Sequence, residues 1–188
     1  MTELNSVLET IALRSSIRAY KDDKLTEKQI IELKRSALEA PTAMNKQLEK
    51  HIFITNKDLL NKIESIAVEE LIKNGGEDMK SRLIARNNSV LYNAPLLVLT
   101  FCERGLRFAD VNSGIAVMSM ALAAKSMGLD SVIIGMIDCV FSCAKGLSIM
   151  QELSIPDTYR FAISIAIGNA NTEKAPHEYN LKGAREFK

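Results

Sequence analysis

Apolar positions along this chain recur in two rhythms, and the switches between them mark its elements. Leu4, Val7, Leu8, Ile11 and Ala12 fall at helical spacing, which predicts a first helix running directly into Arg14. Thr26-Glu27-Lys28-Gln29 has the pattern of a capping box. The helix it opens carries Ile30, Leu33, Ala37 and Leu38 inward and stops near Ala40, ahead of Pro41. Residues 51–55 read as a strand. Asn56 then caps a helix carried by Leu59, Leu60, Ile63 and Ile66, which Gly75-Gly76 interrupts. A further helix is predicted over 79–91. Residues 96–101 form a nearly continuous apolar run, the pattern of a strand buried on both faces. Asp110 is the expected cap of a helix over 111–127, the most apolar of the chain and rich in small residues and methionine, with Gly128 just past its end. A short strand at 131–134 ends at Gly135. A helix over 144–153 is stopped by Pro156, and a last strand at 160–167 is closed by Gly168.

Four strands and at least five helices, with no repeat or linker, predict one mixed α/β or α+β domain over residues 1–188. The tail from Asn169 is too polar for a core of its own. It either packs on something, a partner subunit being one candidate, or stays mobile.

Composition narrows the function classes. A net charge of +1 gives no field for nucleic acid or a strongly acidic partner. No apolar run reaches the roughly 20 residues of a membrane span, and residues 1–5 lack the basic start of a secretory leader. Cys102, Cys139 and Cys143 are too few and too odd in number for a disulfide framework, so a reducing cytoplasm is expected. Cys139 and Cys143 are four apart, but His51 and His177 are distant in sequence, and no metal site is predicted.

Two polar motifs carry the remaining chemistry. Arg14-Ser15-Ser16-Ile17-Arg18 sets two guanidiniums and two hydroxyls together at a helix end. Guanidiniums pair with phosphate and stay charged, so the stretch suits a phosphate and an adjoining polyol. It equally fits a solvated basic helix end placed against the dipole. Pro41-Thr42-Ala43-Met44-Asn45-Lys46-Gln47 is a turn whose amide side chains suit the alternating donor and acceptor edge of a heterocycle. It also fits a plain helix-to-strand loop.

With these motifs in view the chain resembles the FMN-dependent nitroreductase superfamily, in its short form. Arg14-Ser15-Ser16-Ile17-Arg18-Ala19-Tyr20 is similar to the N-terminal Arg-(Arg/His)-Ser-x-(Arg/Lys)-x-(Phe/Tyr) signature. Ala40-Pro41-Thr42-Ala43-Met44-Asn45-Lys46-Gln47 resembles the Ala-Pro-Ser-x-x-Asn-x-Gln turn. Residues 110–134 resemble the central Leu-x-Ala-x-x-x-Gly-Leu helix and strand, and Ile167-Gly168 closes the last strand in the family's manner.

The resemblance implies a mainly antiparallel sheet flanked by helices, in an intertwined homodimer. It implies that Arg14, Ser15, Ser16 and Arg18 hold the FMN phosphate, ribityl chain and pyrimidine edge. Pro41, Thr42, Ala43 and Asn45 would line the flavin from the partner subunit or the ring side. Gly135, after Ile133 and Ile134, would offer its N–H to flavin N5. Asn87 and Asn112 would add polar contacts, and Lys182 and Arg185 would return to the phosphate. Departures are Leu48-Glu49-Lys50 in place of Pro-Trp, Ser15 in place of Arg or His, and the absence of Trp, with Ile133 before the glycine loop.

The implied activity is ping-pong two-electron transfer from NADH or NADPH to a small acceptor such as a nitroaromatic or quinone. The cofactor carries the redox chemistry, so no catalytic side chain is nominated. The region over 68–89 is the expected lid. A flavin-binding module without turnover, and a helical interaction protein without cofactor, are the alternatives.

Overall fold

The central strand explains the layers. In this computed structural model, which describes residues 6–87, 89–176 and 178–187, β2 (Leu96–Glu103) is buried along almost its whole length. Successive side chains point to opposite faces. Leu97, Leu99 and Phe101 join one hydrophobic cluster, and Leu96 and Val98 join another on the far side. The expectation of two buried faces is met, in an antiparallel sheet rather than a parallel one.

The sheet has the order β1-β2-β4-β3, with β1 at Lys50–Ile54, β3 at Asp130–Ile134 and β4 at Tyr159–Gly168. Every ladder is antiparallel, and the β2–β4 register shifts between Thr100 and Phe101. One face is covered by α3 (Lys57–Ile84), α5 (Asp138–Phe141) and α6 (Ala144–Glu152). There Phe101, Phe141 and Phe161 pack as a triad, with centroids 4.9 to 6.0 Å apart. The other face is covered by α2 (Glu27–Leu38) and α4 (Ala109–Ser126), through Leu33, Ala37, Val117, Met120 and Ala124. The first helix, α1 (Ser6–Leu13), buries none of its residues: Val7, Leu8, Ile11 and Leu13 are all exposed.

Several boundaries differ from the sequence pattern, each for a physical reason. The capping box forms as expected: Gln29 N–H donates to Thr26 Oγ1, and Thr26 N–H donates to Gln29 Oε1. The break expected at Gly75-Gly76 is there: Gly76 leaves helical geometry at φ 61° and ψ −154°, so α3 is two helical segments meeting at a kink. The helix expected over 79–91 is the last part of α3 and stops at Ile84. Beyond it the N–H groups of Val90 and Leu91 bond to Glu64 instead of to helical carbonyls. Asp110 is not the cap of α4. Phe108 holds that position, and the Asp110 carboxylate accepts from Arg160 Nη2 at 2.8 and 2.9 Å. The short helix α5 carried no sequence signal. Gly128 does follow α4 at φ 76°, the left-handed conformation a C′ glycine supplies. Leu4 and the rest of residues 1–5, and His177, lie outside the described residues.

Candidate functional site

The segment after α1 crosses the open end of the sheet. Ser16 bridges to Ser131 at the start of β3, and Ile17 N–H donates to Ser131 O at 3.1 Å. Tyr20 bridges to Ala170, just past β4. The Tyr20 hydroxyl donates to the carbonyls of Ile17 and Ala166, and burial pushes its pKa up, so it is a neutral structural donor. This anchor fixes the arginine motif on both sides.

The motif is divided between two surfaces. Ser15 is buried and lines a cleft of about 780 Å³ with Leu13, Ile17 and the tail residues 170–175. Its hydroxyl donates to Ala175 O at 3.4 Å. Arg18 lines a different cleft of about 520 Å³, together with Arg86, Asn87, Ser89, Tyr92 and Asn93. Arg14 stands apart from both. Its Nε is buried and has no hydrogen-bond partner, alone in this among the side-chain nitrogens and oxygens of the described residues. A buried guanidinium nitrogen without an acceptor is costly.

The turn over 42–47 is braced internally. Ala43–Asn45 forms one 3₁₀ turn, and Met44, Asn45 and Gln47 all sit at positive φ. Thr42 Oγ1 accepts from Gln47 N–H at 3.1 Å, and Asn45 Oδ1 accepts from Gln47 Nε2 at 2.6 Å. Asn112, buried on α4, ties the turn down: its Oδ1 accepts from Ala43 N–H at 3.1 Å, and its Nδ2 donates to Glu49 Oε1 at 2.8 Å. Both polar atoms of Asn112 are therefore engaged within the chain. Pro41 and Asn45 are exposed.

The third element is the end of β3. Ile133 is exposed, Ile134 is buried with its carbonyl accepting from Ser164 Oγ at 2.6 Å, and Gly135 is exposed beyond them. Lys182 and Arg185 lie in an exposed tail with Tyr179, Leu181 and Phe187. The structure thus brings Arg18 to Asn87 and Ala43 to Asn112. Ser15 faces the other cleft, and neither cleft is lined by Arg14, the turn over 42–47, Gly135, Lys182 or Arg185.

One residue of this region escaped sequence reading. Glu64, half-buried on α3, accepts at Oε1 from Val90 N–H, Leu91 N–H and Ser89 Oγ, at 2.7, 2.9 and 3.1 Å. It holds the loop that walls the Arg18 cleft. A lone glutamate on a helix gives no signal of such a role.

The profile of the nitroreductase family matches residues 11–169. The fold is similar to the crystal structure of a nitroreductase with bound FMN from Desulfitobacterium hafniense DCB-2, with a TM-score of 0.91 and 28% identity over 99% of this chain and 100% of that one. It is also similar to a nitroreductase with bound FMN from Bacteroides fragilis NCTC 9343, at a TM-score of 0.88 and 20% identity over 98% and 100%. A protein of Methanothermobacter thermautotrophicus, named as an NADH dehydrogenase/NAD(P)H nitroreductase, is 26% identical over 130 residues. That match takes in 67% of this chain but only 59% of the relative's length.

Proposed function

The chain belongs to the nitroreductase family, and from that premise we propose that it binds FMN as an NAD(P)H-dependent oxidoreductase of small acceptors. The buried, partnerless Nε of Arg14 carries the proposal. It is a fixed cationic donor that lacks an acceptor, and a phosphate oxygen is the acceptor that a guanidinium pairs with best. Ser16 and Arg18 share its short segment, so a ligand reaching from Arg14 to the Arg18 cleft spans a phosphate, a polyol and a ring edge. The FMN-bound relative from Desulfitobacterium hafniense supports the same ligand.

Bound FMN supplies two-electron redox chemistry between a nicotinamide and the acceptor. The chain's own residues bind and orient. Arg14 would neutralise phosphate charge, Arg18 and Asn87 would offer donors to the pyrimidine edge, and Gly135 would offer its N–H toward N5. Nitroaromatics and quinones are the proposed acceptors, in ping-pong order, with NADH or NADPH as donor. No side chain acts as acid or base in this scheme.

We take the whole chain as one domain that works as an intertwined homodimer in the cytoplasm. On α4, Phe108, Val111, Ile115 and Met118 form an exposed apolar stripe at spacings of three and four, opposite the face that packs on the sheet. The uncovered side chains of α1 and the apolar residues of the tail add to the surface a second copy would bury. In such a dimer the turn over 42–47 of the second copy would complete the flavin pocket of the first. Among the described residues no helix is long and apolar enough to cross a membrane.

The test is the visible spectrum of the purified protein before and after anaerobic NADH or NADPH. Flavin bands that bleach with one nucleotide support the enzyme and identify its donor. Bands that persist with both leave a flavin-binding module, and no uptake of added FMN ends the proposal. Arg14→Ala is expected to weaken FMN binding, read by quenching of flavin fluorescence.

A further inference from the structure

We infer that Glu64 is a positioning residue for the flavin ring: it fixes the loop that forms the far wall of the Arg18 cleft. This rests on the proposed binding of FMN and extends it to a residue that belongs to neither the arginine motif nor the turn over 42–47.

Asn87, Tyr92 and Asn93 hold φ of 53°, 59° and 58°. Asparagine enters this left-handed region readily, whereas the bulky Tyr92 does so at a cost. Tyr92 is buried, so its aromatic ring must be placed by that strained backbone. Beside the loop's own backbone bonds and the burial of Val90, Leu91 and Tyr92, one carboxylate oxygen ties it to α3. Glu64 Oε1 collects Val90 N–H, Leu91 N–H and the Ser89 hydroxyl, and Ser89 Oγ in turn accepts from Tyr92 N–H at 2.8 Å. Val90 and Leu91 are almost fully buried, so their N–H groups have no ready access to water. The chain of bonds runs from Glu64 through Ser89 to Tyr92, beside the cleft lined by Arg18, Arg86, Asn87 and Asn93. Glu64 itself does not line that cleft, so it acts through the loop. Arg14 is not among the cleft's lining residues, so on the proposed binding of FMN the phosphate would lie away from this loop.

That separation makes the inference testable with two ligands. FMN carries the phosphate and riboflavin lacks it. In Glu64→Ala the loop loses its anchor, and the dissociation constants for FMN and riboflavin are expected to rise by the same factor, about tenfold. In Arg14→Ala only the FMN constant is expected to rise. Glu64→Gln keeps a carbonyl oxygen for the two N–H donors and is expected to stay close to wild type. Glu64→Asp, too short to reach them, should behave like Ala and serves if Ala fails to fold. Amide hydrogen exchange at Val90 and Leu91 reads the anchor without any flavin, and should speed up in Ala and Asp but not in Gln. Faster exchange with unchanged affinity for both flavins overturns the inference, while a weakened Arg14→Ala variant leaves the FMN reading standing. Loss confined to FMN also overturns it, because the loop would then serve the phosphate. A wild type that takes up neither flavin removes both.

Discussion

The turn over 42–47 and the loop after α3 pose the same problem and solve it differently. Each carries three non-glycine residues at positive φ: Met44, Asn45 and Gln47 in one, Asn87, Tyr92 and Asn93 in the other. Among the described residues only Ser154 adds a further case. Strain gathered at two places and nearly absent elsewhere is the pattern of sites that must present groups in a set geometry. The turn is braced mainly by its own side chains, Thr42, Asn45 and Gln47, with Asn112 as a clamp. The loop buries Val90, Leu91 and Tyr92 in the core and bonds Ser89 and Ala94 N–H within itself, and one carboxylate from another element takes up the buried N–H groups of Val90 and Leu91. A turn braced by several side chains should tolerate the loss of any one bond. A loop whose two buried N–H groups share one acceptor should be more sensitive to its loss.

The largest effect is therefore expected at Glu64. Glu64→Ala strands two buried N–H groups and a hydroxyl, a loss of about 2 kcal/mol. For a chain of this length that lowers the melting temperature by roughly 4–8 °C. Thermal unfolding followed by circular dichroism checks it. A melting temperature equal to that of Glu64→Gln would erase the distinction between the two loops.

Asn112→Ala comes next. It removes the acceptor for Ala43 N–H and the donor to Glu49, yet leaves the bonds from Gln47 to Thr42 and Asn45 in place. A cost of about 1 kcal/mol is expected, smaller than at Glu64. Denaturant unfolding of both variants under one condition ranks them, and the reverse order would mean that the turn is the less independent of the two. Glu49→Gln should be milder still, since its amide oxygen continues to accept from Asn112.

The same contrast decides what could be read from sequence. Thr42, Asn45 and Gln47 lie within one hexapeptide, and residues that hydrogen-bond to neighbours in the chain leave a local signature. The capping box at Thr26, the continuous apolar run of β2 and the glycine at 128 are likewise local features of the chain and legible in it. Glu64 and its loop are separated by about a helix length of chain, and nothing local announces the pairing. Asp110 misleads for a related reason: its carboxylate turns to Arg160, a partner from β4 that spacing along α4 does not reveal. The arginine motif is legible as chemistry but not as geometry, because an extended segment sends Ser15 to one cleft and Arg18 to another. The apolar stripe of α1 likewise signals a helix but not its environment, since none of its residues is buried.

The turn side carries a pH dependence of its own. His51, two residues after Glu49, sits with Nδ1 3.0 Å from the buried Thr100 hydroxyl. Burial holds its pKa below the ordinary value of 6.5, against an opposing pull from Glu49. The folded protein then binds this proton less readily than the unfolded chain does. The unfolded state carries more protons between the two values, so stability rises with pH through that window. Above 6.5 His51 costs nothing, and as pH falls below it toward the folded value the loss grows. Wild type is expected to lose more unfolding free energy between pH 7 and pH 5 than His51→Gln does. Urea unfolding at both values measures this, and equal losses would exclude His51 as the source.

The smallest structural effect is expected at Gly135, which belongs to neither strained region. A Cβ added there would meet only Ile163 Cδ1, at 3.5 Å, an ordinary contact, and its φ is not among the positive ones. Gly135→Ala should therefore leave the melting temperature within about 1 °C of wild type, in the range of substitutions that touch no buried feature. That neutrality makes the position informative about the ligand. If its backbone faces flavin N5, the added methyl shifts the reduction potential of bound FMN while the fold stays intact, as a spectroelectrochemical titration would show. An unaltered potential with FMN still bound would remove the end of β3 from the flavin contacts. The site would then rest on the arginine segment and the two strained loops alone.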